Sequence, residues 1–449
     1  MIEKKPYSIT SKVIAAIIGL GLIDAIVFTI PYIKYTFYYG MIEMTGCTNE
    51  QLGLLMTIYG LGEVFALPIG GILAERYDSA KVLLISTIGT GLLCFLLVLW
   101  PSYATTALVW FLLIFTSLFM FWGALFKAMR LLGPANFQGR INGLYYGAAG
   151  IGYFVINMSM VPVYDHYAKI TDGMGMRAVF VFFGIFCFAV AIFCYFALKA
   201  AFKEQAENGW EIDEDDTAPV SLAQGLKGFI EQCKECFNYK CIWVFGIALF
   251  CVYGGQIAIT YTTSFFTDVL GIAVTFGVVL SVIRSYGMQM LGGPLGGWLA
   301  DKWKSPSKVV MVGNVVAIAC LLFIVVFPRK SLTLPLLMVI VMVLALFNCI
   351  CYGINFAIPA EGKMPARLQA TAIGFGSAIG YIPDVFEHTM FGAWLDKRGN
   401  DAYNSIFIFG IVLEIIAFLL LIWFLKSKKN NSFVFKNADT AELEEDATA

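Results

Sequence analysis

Charge is what this chain has least of. Only 14% of its 449 residues are Asp, Glu, Lys or Arg, and 59% are hydrophobic. With a mean hydropathy of +0.78, that composition excludes an ordinary soluble domain, which carries about a quarter charged residues. The formal net charge of −1 removes the electrostatic basis for a nucleic-acid partner. There is no Gly-x-x-x-x-Gly-Lys-Ser/Thr loop, so direct use of ATP is not expected. Paired Asp residues, Ser/His pairs and metal-ligand sets at helical spacing are also missing, which argues against an intramembrane enzyme, and no metal or cofactor is expected. Cys233 and Cys236 form a C-x-x-C, but no second pair or ligand His lies near them in sequence. An amphipathic face explains them better than a metal or redox site. Lys4, Lys5 and Lys12 precede an apolar run that is too long for a signal-peptide core and shows no cleavage site.

What is present is a series of long apolar runs. A helix needs about 20 such residues to cross roughly 30 Å of hydrocarbon. Twelve spans are expected, at about 12–39, 50–74, 82–100, 104–131, 140–165, 176–200, 240–267, 274–299, 308–327, 333–359, 369–395 and 403–426. The organisation is then a six-helix bundle over 1–200, a linker over 201–239, a second bundle over 240–429 and a disordered tail over 430–449. The linker carries the acidic run from Glu211 to Asp216, read as solvated, and an amphipathic segment from Leu222 to Phe237. Placing both termini in the cytoplasm puts about 22 of the 30 Lys and Arg on that side. Lys169, Arg177, Arg329, Lys330, Lys397 and Arg398 fall on the other side, while Lys34 and Arg284 stay within spans. That asymmetry follows the positive-inside rule for a multi-pass protein of the cell or inner membrane.

The two halves repeat. Pro68 to Lys81 is echoed from Pro294, 226 residues later: Gly70, Gly71, Ala74, Glu75 and Arg76 match Gly296, Gly297, Ala300, Asp301 and Lys302. Tyr35-Thr36 faces Tyr261-Thr262 at the same offset, and the stretch from Arg140 faces that from Arg367. This spacing marks two similar halves rather than a short solenoid repeat.

The Pro68 and Pro294 stretches resemble the loop between spans 2 and 3 of the Major Facilitator Superfamily and its degenerate copy between spans 8 and 9. The resemblance covers about residues 12 to 426. It implies an all-α membrane fold of twelve helices, two six-helix bundles with pseudo-two-fold symmetry, and a midplane site. It also implies a latch in which Glu75 and Asp301, flanked by Arg76 and Lys302, pair with basic groups such as Arg130. Gly71 and Gly297, with Gly70, would allow close helix approach. Asp78-Ser79-Ala80 departs from the family pattern after Arg76, and Lys81 can supply the positive charge that is lost. Three further stretches are similar to a bacterial branch related to organophosphate and organic-anion permeases. They are Phe121 to Gly133, Gln138 to Arg140 and Ile379 to Asp384. Such permeases hold phosphate with an Arg on span 1 and another on span 7. Here span 1 has Asp24, and span 7 has no basic residue after Lys240.

Charges within spans each cost at least about 2.5–3.5 kcal/mol at a helix centre, so each needs a partner or an aqueous cavity. In the fold implied, Asp24, Arg284 and Asp384 lie on spans that reach the centre, with Glu387 and His388 one turn beyond Asp384. They are candidates for substrate binding or ion coupling, and a permanent structural ion pair is the alternative. His388 can titrate near neutral pH. Lys127 is a candidate anion holder. Tyr32, Tyr35 and Tyr261 are candidate ligand contacts, whereas Tyr38 and Tyr39 read as an interfacial belt. Glu63 is left open and Glu414, on a scaffold span, reads as a residue that either snorkels to the bilayer surface or pairs.

The leading expectation is a monomeric secondary transporter of a small polar or anionic organic solute, working by alternating access and coupled to protons or another ion. A lipophile exporter is the alternative within transport, and a non-transporting membrane receptor is the alternative outside it.

Overall fold

The structure is a computed structural model that describes residues 7–74, 76–134, 137–208, 210, 222–327, 334–430 and 433–435. It divides into two compact units, Met1–Gly225 and Leu226–Ala449. The acidic run from Glu211 to Asp216 and most of the tail lie outside the described residues.

The first half contains α1 (Ser11–Thr29), α2 (Tyr38–Thr45), α3 (Asn49–Ala74), α4 (Ser79–Leu99), α5 (Tyr103–Leu113), α6 (Phe121–Leu131), α7 (Gln138–Ala168) and α8 (Met174–Glu207). α9 (Leu222–Cys236) straddles the division. The second half continues with α10 (Lys240–Thr260), α11 (Thr262–Leu270), α12 (Val274–Val282), α13 (Met288–Trp303), α14 (Pro306–Val326), α15 (Leu334–Asn355), α16 (Ile358–Glu361), α17 (Ala366–Gly380), α18 (Ile382–Arg398) and α19 (Ala402–Lys429). Ten described stretches are long and apolar enough to cross a bilayer. The last of them, Thr371–Lys429, holds two spans joined through Gly399–Asp401, and α3 supplies the remaining one of twelve.

Side-chain caps set several helix starts. Thr10 accepts from the Val13 amide, Asp78 from Lys81 and Ser102 from Thr105, which satisfies amides that have no partner inside the helix. Helix packing repeats between the halves. α1 packs on α7 and α8 as α10 packs on α17 and α19, and α4 packs on α8 as α14 packs on α19.

Several spans expected to be continuous are broken. α1 stops at Thr29, ahead of Pro31, and a tight turn over Ile33–Tyr35 leads into α2. Proline removes a helix hydrogen bond and disfavours helix at the residue before it. The Trp110 indole nitrogen donates to the Pro31 carbonyl at 3.2 Å, so that oxygen is satisfied within the bundle. The corresponding span of the second half breaks at Tyr261, between α10 and α11, and the next-to-last span breaks at Tyr381, ahead of Pro383. The Tyr-Thr pair that recurs 226 residues apart therefore marks a helix break in each half. Two further spans carry π-helical turns, Ile114–Phe119 and Ile283–Gly287.

The linker and the tail carry more order than their polarity suggests. α8 runs on to Glu207, and Trp210 packs edge-on to Tyr7 at 5.2 Å. In the second half, Gln232 of α9 accepts from the Thr371 hydroxyl and Phe237 packs on Phe375. Val434 forms an antiparallel bridge with Tyr239, with the Lys240 amide donating to the Phe433 carbonyl at 3.0 Å.

Candidate functional site

The polar groups within each half form separate clusters. In the first half Asp24 is buried on α1 and hydrogen-bonds the Tyr145 hydroxyl of α7. The Tyr153 hydroxyl reaches the Asp24 backbone carbonyl at 3.3 Å. Tyr32 donates to the Glu63 carboxylate and packs near Tyr35, with ring centroids 5.4 Å apart. Lys34, also buried, sits over the Tyr35 ring at 6.0 Å. Two of the candidate ligand tyrosines thus lie beside a buried acid and a buried base. Lys127 donates to the Tyr77 carbonyl at 3.1 Å, which ties α6 to the turn between α3 and α4.

The second half holds the denser set. Asp384 lies in the first turn of α18, where the helix dipole favours negative charge. Its Oδ2 accepts from the Tyr253 hydroxyl at 2.7 Å, and its Oδ1 lies 3.0 Å from His388 Nε2. All three residues are buried. The Tyr261 hydroxyl donates to the His388 carbonyl at 3.4 Å. Tyr253 stands edge-on to Tyr381, centroids 5.0 Å apart, and the Tyr381 and Tyr352 hydroxyls are 2.7 Å apart. In the first half Asn157, matching Asp384, donates to Thr29 of α1 at 3.0 Å. At this position both halves therefore link the fifth helix of a bundle to its first, through an amide in one and a carboxylate in the other.

Glu387 and Glu414 approach α10 at adjacent glycines. A Cβ on Gly254 would overlap Glu387 Oε1, and one on Gly255 would lie 2.6 Å from Glu414 Oε1. With its amide nitrogen turned toward these acceptors, Asn314 of α14 donates to Glu414 Oε2 at 3.0 Å. Glu414 is thus a pairing residue inside the bundle rather than one reaching for the bilayer surface. The Gly254-Gly255 step was the unused sequence signal for this cluster. Small residues mid-span mark close approach, yet they do not say what approaches.

Arg284 lies in the π-helical turn, 3% exposed. Its Nη1 donates to the carbonyls of Ile259 (3.1 Å) and Thr260 (2.9 Å) and to the hydroxyls of Thr262 (3.2 Å) and Thr263 (2.7 Å). Nη2 reaches Ser285 at 3.2 Å. These oxygens belong largely to the broken end of α10, so the guanidinium caps a helix C-terminus, where positive charge is favoured.

The structure describes only part of the expected latch. Glu75 lies outside the described residues, while Arg76 and Arg130 are exposed. Asp301 is exposed, and Lys302 lies over the Trp298 ring at 4.8 Å. Gly71 falls within α3, and its neighbour Gly70 makes a close approach, where a Cβ would overlap the Phe119 carbonyl oxygen. Among the described residues, Gly297 has nothing within 4 Å of where its Cβ would be.

Two further acids join separate segments. Asp78 caps α4 and pairs with Lys199 at 2.6 Å. Burial raises its carboxyl, but the bonds from Lys199 and the Lys81 amide win and hold it below the usual range. Glu361 of α16 accepts from the Ser305 hydroxyl, the Ser307 amide (2.8 Å) and hydroxyl (2.6 Å), and Lys428 at 2.9 Å. Burial pushes this carboxyl up too, and those four bonds together outweigh it, leaving it below its ordinary value.

The family model of the Major Facilitator Superfamily matches residues 13–386. The inner membrane protein YihN of Escherichia coli K12 is 27% identical over 411 residues, covering 91% of this chain and 92% of its own length. Among solved structures, a bacterial homologue of the human lysosomal transporter Spinster superposes with a TM-score of 0.67 at 15% identity, covering 95% of this chain and 98% of that one. The nucleoside transporter NupG gives 0.64 at 13% identity, covering 94% and 100%.

Proposed function

The chain belongs to the Major Facilitator Superfamily, a multi-pass membrane transport protein and not an enzyme, and from that premise we propose that it carries a small polar or anionic organic solute by alternating access, coupled to protons or another ion. The observation that supports this most is the buried Asp384–His388–Tyr253 set of the second half. An ionisable dyad inside a membrane bundle is costly, and such groups line solute paths or proton relays. Asp24 with Tyr145 provides a second buried acid in the first half. Arg284 supports solute binding indirectly, by fixing the break in the first span of the second half at Tyr261. Helix breaks of this kind present backbone groups to a solute in other transporters.

The reading is tested by thermal-shift screening of purified protein against organic anions, sugars, nucleosides and amino acids at two pH values. A solute that binds the folded state raises its melting temperature by mass action. A hit is then carried into proteoliposomes, where flux that depends on Asp384 is expected. Neutralising Asp24 and Asp384 together without any change in flux would overturn the reading.

A further inference from the structure

Glu387 is fully buried on α18, and neither of its carboxyl oxygens has a hydrogen-bond partner among the described residues. It lies against Gly254 of α10, where a missing side chain leaves room for it, beside Leu413 of α19. Its titratable neighbours are few. Asp384 and His388 are on its own helix, Cys251 and Tyr261 lie near it on α10, and Glu414 of α19 sits at the next glycine. Asp384 takes the better place for negative charge. It has the start of α18, the Tyr253 hydroxyl and His388 Nε2. A second carboxylate one helical turn away, with no donor, is disfavoured both by the first charge and by lost hydration. The two acids are therefore pushed into different roles.

We propose that Glu387 is the group that takes up and releases the coupling proton, with the hydrogen-bonded Asp384–His388 pair as its neighbour. In this state it is the neutral acid. When the bundle opens to water it gives up the proton and becomes carboxylate, and it must be reprotonated before it can return to its dry seat on Gly254. This deepens the proton-coupled reading above and rests on it.

Infrared spectroscopy of the reconstituted protein tests the site without any solute. One carbonyl band of a neutral carboxylic acid should vanish in Glu387→Gln, persist at a shifted frequency in Glu387→Asp, and be bleached reversibly as pH is raised. Glu414→Gln should leave that band in place. An unchanged neutral-acid region in Glu387→Gln, or a band indifferent to pH and to D2O, would overturn the proposal. Melting temperature checks that each variant is folded. Flux is scored separately, with uridine and gluconate as probes under a one-unit inward pH gradient. One proton per solute limits accumulation to about tenfold, and Glu387→Gln should bring it to unity while Glu414→Gln keeps it. If the parent protein accumulates neither probe, the transport reading is what loses support, and the infrared result still decides on Glu387.

Discussion

Changing Gly70 to Ala tests the helix contact that the repeated glycine motif turns out to serve. The new Cβ would overlap the Phe119 carbonyl oxygen and lie 2.9 Å from its carbon and 3.0 Å from its Cα. Comfortable carbon contacts are about 3.5–4.0 Å, so α3 has to move off the π-helical turn by about 0.5–1 Å. The obstacle is backbone, which cannot rotate aside as a side chain would. Overpacking of this kind costs about 1–3 kcal/mol. Alanine returns about 0.5–1 kcal/mol of helix propensity, leaving a net loss of up to about 2.5 kcal/mol. Gly297→Ala is the matched control. It is free of contacts within 4 Å and should gain the propensity term alone. A thiol-reactive dye reports unfolding through buried cysteines such as Cys94 and Cys187. Gly70→Ala should melt below the parent protein and Gly297→Ala at or above it. The reverse order would refute the packing account.

Glu361→Gln should cost about 1.5–3 kcal/mol by weakening charge-assisted bonds at a buried acceptor. Because the native carboxyl is held low, its contribution is complete above the usual glutamate range and is lost as pH falls through the lowered native value. Melting curves of Glu361→Gln should therefore be flatter in acid than those of the parent. Asp78→Asn keeps an N-cap and loses a half-exposed ion pair, so a change under about 1 kcal/mol is expected, whereas Asp78→Ala should lose about 1 kcal/mol more. Equal melting of the two variants would argue against the cap. Arg284→Lys should be destabilising and impair flux, since the shorter side chain ends one bond before Nη1 and has no second nitrogen, so it cannot hold the Ile259 and Thr260 carbonyls and Ser285 together. Parent-like stability in that variant would remove Arg284 from the break.

The fold was legible because hydrocarbon imposes helices about 20 residues long and because Gly70 and Gly296, Tyr35 and Tyr261, and Asp384 and Asn157 recur at nearly one offset. Asp384, Glu387 and His388 stood out for the same reason: ionised groups are rare in apolar runs. Their grouping was not legible. Tyr253 carries no charge and looks like any interfacial aromatic, yet it holds Asp384. Glu361 lies in a polar connection, where an acid attracts no notice, but two segments distant in sequence converge on it. The helix breaks at Tyr261 and Tyr381 escaped because hydropathy averages over a window and passes through a break without a dip. Arg284 drew notice because a buried charge needs partners, and the backbone carbonyls that accept from it leave no mark in the sequence.

The bridge between Val434 and Tyr239 has a practical consequence for handling the protein. Trimming the chain at Asn430 would deprive the Lys240 amide of the Phe433 oxygen and uncover the Lys363 side chain that lies over the Phe433 ring. Affinity tags and fluorescent reporters are better attached after Phe435, so that the strap stays fastened while the cargo hangs clear of the bundle.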